Sequence, residues 1–157
     1  VVMETLKLLR STLPTSIQLE TVVSPEDQNL SIMADSSQIH EIIINLYNNA
    51  LQAIGDKGTI TLSLGKVSVE KVDIPKQFNC SPGPYVQLSI QDTGCGIPTA
   101  IIDNIFDPFF TTKKKERGTG LGLSSTYGIV QNHSGAITVY SEVGEGTTFN
   151  IYFNDKT

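Results

Sequence analysis

Three stretches of this sequence have residue types and spacing that could do chemistry. The first is Arg117-Gly118-Thr119-Gly120-Leu121-Gly122-Leu123-Ser124-Ser125, where glycines alternate with small or apolar residues ahead of a helix-compatible run, Thr126 to Asn132. A backbone without Cβ atoms can approach a ligand closely. It feeds a helix N-terminus, where unpaired N–H groups and the dipole favour an anion. Phosphate binding is the functional reading, and a flexible connection is the bland one; a lone Gly-x-Gly-x-Gly does not separate them. The second stretch is Asp92-Thr93-Gly94-Cys95-Gly96-Ile97-Pro98, a sharp turn with one carboxylate at its start. That carboxylate could accept a hydrogen bond from an exocyclic amine such as adenine's, or simply shape the loop as an Asx-turn. Both readings stand at this point. The third is a row of amides, Gln38, Asn45, Asn48, Asn49 and Gln52, with Glu41 among them. Asparagine forms helices poorly, so this row, set on a helix, suggests a task beyond solvation, with a merely polar exposed face as the bland reading.

Those groups need elements to hold them. Asp35 or Ser36 can cap a helix running to about Ile54. At about 100° per residue, Ile39, Ile42, Ile43, Leu46, Ala50 and Ala53 gather on a core side, opposite the amides. Val1 to Ser11 reads as the end of a helix belonging mostly to something upstream. Alternation predicts strands at Ser16–Val23, Leu30–Met33, Thr59–Val69, Tyr85–Gln91, Ala136–Ser141 and Thr147–Phe153. Between them fall a loop at Pro75–Pro84, a short helix at Ile101–Phe106, a helix at Leu121–Asn132 and a tight turn at Glu142–Gly146. This order predicts an α+β sandwich, helices on one face of a mixed sheet.

The chain has 157 residues and is 39% hydrophobic, enough for one domain with a proper core. A net charge of −5 argues against a nucleic-acid partner. No apolar run approaches the roughly 18 residues of a membrane helix, and no signal peptide opens the chain. Cys80 and Cys95 fit neither a metal spacing nor a disulfide framework, which points to a reducing, cytoplasmic setting. The first residue is Val1, so a piece of a longer protein is expected. Against the acidic background, Lys113, Lys114, Lys115 and Arg117 stand just before the glycine loop. They are either solvated surface or mobile cations that close over phosphates.

In this order the motifs resemble the catalytic and ATP-binding domain of sensor histidine kinases. This is the Bergerat (GHKL, HATPase_c) fold, shared with DNA gyrase, heat-shock chaperone ATPases and mismatch-repair ATPases. Asn45-Leu46-Tyr47-Asn48-Asn49-Ala50 resembles the family's N box, and Asp92 to Gly96 its first glycine box. Phe106-Asp107-Pro108-Phe109-Phe110 resembles the F box, Gly118 to Leu123 the second glycine box, and Gly144 to Phe149 the closing segment. The Asn-Ala-Leu-Gln-Ala-Ile and Pro-Phe-Phe-Thr-Thr-Lys runs are most similar to nitrogen-regulation sensor kinases. The resemblance implies a two-layer sandwich with a mostly antiparallel sheet of about five strands under about three helices. Residues 1–14 would end an upstream dimerisation helix, and residues 15–157 would form the ATP-binding domain, with a lid at about 107–122.

What the resemblance implies for single residues is specific. Asn49 would give its amide oxygen to Mg²⁺, which keeps several waters and needs few protein ligands. Asn45, one turn earlier on the same face, would meet the phosphates or the metal's waters. Asp92 would take the adenine amino group, with Gly94, Gly96 and Ile97 lining the base and Thr147 adding a hydroxyl at the same edge. Gly118, Thr119, Gly120 and Gly122 would wrap the phosphates of ATP, while Leu121 and Leu123 pack the lid's hinge. Phe106, Phe109 and Phe110 would seat the lid, and Lys113 and Arg117 would reach the γ-phosphate. The hydrolases of this fold carry a Glu four residues before the metal-binding Asn, as general base. With Asn49 as ligand that slot holds Asn45, a kinase-type site; with Asn45 as ligand Glu41 would fill it, and the chain would be an ATP-hydrolysing member. A serine kinase of the same fold and a module that has lost its site are further readings. The implied partners are an upstream dimerisation and phosphoacceptor domain within a homodimer, and the receiver domain of a response regulator. The catalytic acceptor histidine is expected to be absent: His40 lies on the helix that carries the N box rather than on a dimerisation hairpin, and His133 at a helix end, where it would cap. The chain alone is therefore expected to bind nucleotide without autophosphorylating.

Overall fold

The computed structural model describes residues 2–23, 32, 34–69, 81–107 and 122–154. Its elements are α1 (Val2–Thr12), β1 (Ile17–Val23), α2 (Ser36–Ile54), β2 (Gly58–Val69), β3 (Gly83–Asp92), α3 (Gly122–Asn132), β4 (Ala136–Glu142) and β5 (Gly146–Asn154). The strands form one sheet in the order β1-β2-β3-β5-β4. Only β1 and β2 run parallel; the other neighbours are antiparallel. A parallel pair needs a long crossover, and α2 supplies it. The mixed five-strand sheet expected from the sequence is what forms.

Asp35 starts α2 by accepting hydrogen bonds from the Ser37 backbone N–H at 2.9 Å and the Ser37 hydroxyl at 2.6 Å. Those bonds hold its carboxyl below the usual range. Gly55 ends the helix with φ of 76° and its N–H on Leu51 O, a left-handed stop that costs glycine little. Between the caps, the expected apolar stripe goes into the core, with Ile42 and Ile43 at 0% exposure. Each such burial stabilises by about 1.5–3 kcal/mol. Tyr47 joins that buried stripe. Opposite it, the sheet contributes Ile60, Leu62, Leu88, Ile90, Phe149 and Ile151, the inward half of each strand's alternation. From α1, Leu6 and Leu9 enter the same cluster, and the buried Thr5 hydroxyl lies 2.9 Å from Nδ1 of His40 on α2.

Three expectations change. Residues 101–106 are not an α-helix but a single 3-10 turn, Ile102–Asn104. Its bonds span three residues, from Ile101 N to Pro98 O, Asn104 N to Ile101 O and Asp107 N to Asn104 O, and a stretch this short does not repay α-helix nucleation. The loop expected through Pro84 ends sooner, because Gly83 and Pro84 already pair with β2. A proline is tolerated at such a strand start. The strand expected at 30–33 lies outside the described residues except for Ile32, which has no strand assignment and packs against the core.

Candidate functional site

One row of side chains crosses the sheet where β3 ends. Ile60 pairs with Asp92, Asp92 with Thr147, and Thr147 with Ser141. Directly paired residues share a face, and this row lies on the helix-covered one, so Asp92 is 5% exposed and Thr147 4%. The Asp92 carboxylate accepts the Gly94 N–H at 2.8 Å. Burial pushes its pKa up, against the pull of the Gly94 and Thr147 backbone N–H groups. The Asx-turn is therefore real. It leaves acceptor capacity on a carboxylate that has about four lone-pair sites, so the turn and the amine-binding reading are compatible.

The glycines around this row answer to neighbouring backbone. A Cβ on Gly94 would stand 2.6 Å from the Ala53 carbonyl carbon of α2, one turn beyond Asn49. Gly146, at φ 131°, would put a Cβ 2.0 Å from the Asp92 carbonyl oxygen. The loop between β3 and the 3-10 turn is stitched on both sides, through Cys95 N to Ala53 O at 3.1 Å and Gly144 N to Cys95 O at 2.9 Å. The sequence reading gave Gly94 and Gly96 to a bound base; what the described structure demands of Gly94 is close approach to α2, and of Gly96 approach to Glu142.

On α2, Asn45 and Asn49 are both partly buried. The Asn45 amide donates to Gly122 O at 3.3 Å and the Thr126 hydroxyl at 3.4 Å, and Thr126 donates to Gly122 O at 2.9 Å. Nearby, the Ser125 hydroxyl donates to Glu41 at 3.1 Å. These bonds tie the start of α3 to the amide face of α2. Leu123 packs against the core. Phe106 packs against Tyr127 with the rings tilted by 39° and centroids 5.4 Å apart, and meets Phe149 edge-on at 6.3 Å. Ile97 also packs on the core and donates its N–H to the Ser141 hydroxyl at 2.6 Å.

The described structure thus brings Asp92, Gly94, Gly96, Ile97 and Thr147 to one end of the sheet, and Asn45, Gly122 and Leu123 to the α2–α3 seam. Lys113, Arg117, Gly118, Thr119, Gly120, Leu121, Phe109 and Phe110 lie outside the described residues. Sequence reasoning missed Ser141, Ser125 and Thr126. Ser141 had a usable signal, because a tight turn at 142–146 makes it the cross-strand partner of Thr147. His133 caps as expected: its Nδ1 meets Ile129 O at 2.8 Å. Its Nε2 also accepts the Asp35 N–H at 3.3 Å, which joins the end of α3 to the start of α2.

Residues 34–157 match the family described as histidine kinase-, DNA gyrase B- and HSP90-like ATPases. The chain belongs to this family. Among curated relatives, it is 40% identical over 121 residues to the sensor kinase CckA of Brucella abortus, covering 77% of this chain and 13% of that protein. It is 35% identical over 137 residues to the sensor histidine kinase ZraS of Escherichia coli, covering 87% of this chain and 26% of the relative. The chain therefore spans only 13% and 26% of the length of these two relatives. Among solved structures, the catalytic domain of histidine kinase ThkA superposes with a TM-score of 0.75 at 29% identity, over 98% of this chain and 90% of that one. Full-length ShkA, solved in complex with AMPPNP, shares the fold with a TM-score of 0.71 at 22% identity, over 98% of this chain and 30% of its own. As a member of this ATPase family the chain is an ATP-binding domain of the histidine-kinase kind. Among the described residues no helix is long and apolar enough to cross a membrane.

Proposed function

We propose that this chain is the nucleotide-binding half of a two-component sensor histidine kinase, holding Mg-ATP for transfer of the γ-phosphate to a histidine on another domain. The observation that carries the reading is Asn45. It sits one helical turn before Asn49, and its amide N–H groups are engaged by the first turn of α3. A carboxamide there cannot accept a proton from water, so ATP is held without being hydrolysed. Glu41, which the hydrolase register would need as base, is exposed and bonded to Ser125.

In this reading Asp92 takes the adenine amino group, since it is a buried acceptor with lone pairs to spare. Asn49 offers a neutral oxygen to Mg²⁺, a fitting ligand for an ion that keeps its waters and takes phosphate oxygens. Residues 107–122 form the lid, with Lys113 and Arg117 as its cations and Gly118, Thr119 and Gly120 at the phosphates. Residues 15–157 are the nucleotide domain, and α1 leads back to a dimerisation and phosphoacceptor domain of a homodimer. A response-regulator aspartate is the final acceptor. The chain's work is positioning and electrostatics.

A calorimetric titration with ATP and Mg²⁺, with free phosphate followed in the same samples, tests this. Saturable binding that weakens in Asp92→Asn, with no phosphate release, supports it. Phosphate release that disappears in Glu41→Gln would make the chain a hydrolase instead. Adding the histidine-bearing domain in trans should then yield phosphohistidine.

A further inference from the structure

Ser141 has three polar neighbours and one proton. Its oxygen accepts the Ile97 N–H at 2.6 Å. It lies 3.1 Å from Gly146 O, which can only accept, so the Ser141 proton goes there. The Thr147 hydroxyl stands 2.8 Å away. For that contact also to be a hydrogen bond, Thr147 must be the donor. Its O–H then points along the row at Ser141, and its lone pairs face away from that bond. Thr147 is paired directly with Asp92 on the same sheet face, so the row offers acceptors side by side, a carboxylate and a hydroxyl oxygen, where Thr147 alone could have rotated to donate.

We propose that Ser141 is a specificity-setting residue: by fixing the Thr147 proton it makes this end of the sheet an all-acceptor edge, which takes a 6-amino purine and rejects a 6-oxo purine. This rests on the reading that adenine binds at Asp92. An amino group donates to both acceptors. A 6-oxo group meets two acceptors with no proton between them, and a buried unpaired polar group is where discrimination is large. Without Ser141 the Thr147 hydroxyl turns freely and can donate to the oxo group. Ser141 acts through Thr147 and is a positioning residue.

The test is binding of ATP and of inosine triphosphate, which replaces the 6-amino group by oxygen, to wild type, Ser141→Ala, Ser141→Thr and Thr147→Val. In Ser141→Ala the inosine nucleotide should bind more tightly, and the ATP preference should fall by about tenfold, the effect of one hydrogen bond. Ser141→Thr, which keeps a hydroxyl, should retain the wild-type ratio, and Ser141→Ala/Thr147→Val should show no gain for inosine. A merely structural brace would weaken both nucleotides together in Ser141→Ala, and that result overturns the proposal. If Ser141→Ala does not fold, Thr147→Val decides: the proposal needs it to lose ATP affinity alone, and equal loss of both sinks it. Wild type that binds neither nucleotide, or Asp92→Asn that binds ATP normally, would remove the adenine reading itself. An unchanged Ser141→Ala ratio with a defective Asp92→Asn removes only this inference.

Discussion

Asp92 serves two ends that pull against each other. Burial raises its pKa, so the unfolded chain gives up this proton at lower pH than the folded one. Ionisation therefore weighs against the folded state, fully so above the raised pKa. Asp92→Asn keeps an oxygen for the Gly94 N–H and removes the buried charge. In the absence of nucleotide it should melt higher than wild type at about pH 7, with the difference shrinking toward about pH 4; thermal denaturation across that range checks it. The same variant should bind ATP at least about tenfold more weakly, the cost of a charged hydrogen bond. In wild type, ATP affinity should fall as acid protonates Asp92. A variant melting lower at neutral pH would mean that the N–H groups outweigh the burial.

The elements show which parts of the site periodicity can reach. The α2 stripe and its amide face were legible because one helix carries both, and 3.6 residues per turn sorts them without knowledge of any neighbour. The β-strands around Asp92 were legible from alternation. The reason for Gly94 was not, because it depends on Ala53, a residue on another element that comes within 2.6 Å of the missing Cβ. The 3-10 turn was read as a helix because the four apolar residues Ile101, Ile102, Ile105 and Phe106 at helical spacing do not reveal that the stretch is too short to close α-type bonds. Gly94→Ala should therefore push the β3 loop from α2, costing about 1–3 kcal/mol as overpacking does and weakening ATP with it; denaturant unfolding and titration measure the two. His133→Ala removes bonds to Ile129 O and the Asp35 N–H and should cost about 1 kcal/mol, with ATP affinity near wild type because Asp35 and Ile129 lie away from the Asp92 row.

Over the whole molecule, α1 closes the core. Leu6 and Leu9 are 3% and 6% exposed, and with Leu19, Ile43, Tyr47 and Leu62 they line a small cavity beneath the helix. Leu6→Ala should cost about 2–5 kcal/mol, readable as an earlier urea midpoint. Because α1 grips α2 through Thr5 and His40, that loss should also loosen the helix that carries Asn45 and Asn49. The apolar spacing of α1 alone does not say which core receives Leu6 and Leu9. The folding order follows from the register. Among the described residues β4 and β5 form the strand pair joined by a tight turn, and Ser141 and Thr147 are six residues apart across it. The parallel β1–β2 pair must wait for the α2 crossover, and closing long loops is what slows a β-rich chain. The hairpin is thus the natural nucleus, and its closing hydroxyl pair is also the pair that would read the purine. Ser141→Ala should slow refolding more than it speeds unfolding, a high φ-value in a stopped-flow chevron, so the same side chain would govern how fast the fold is found and which nucleotide it accepts.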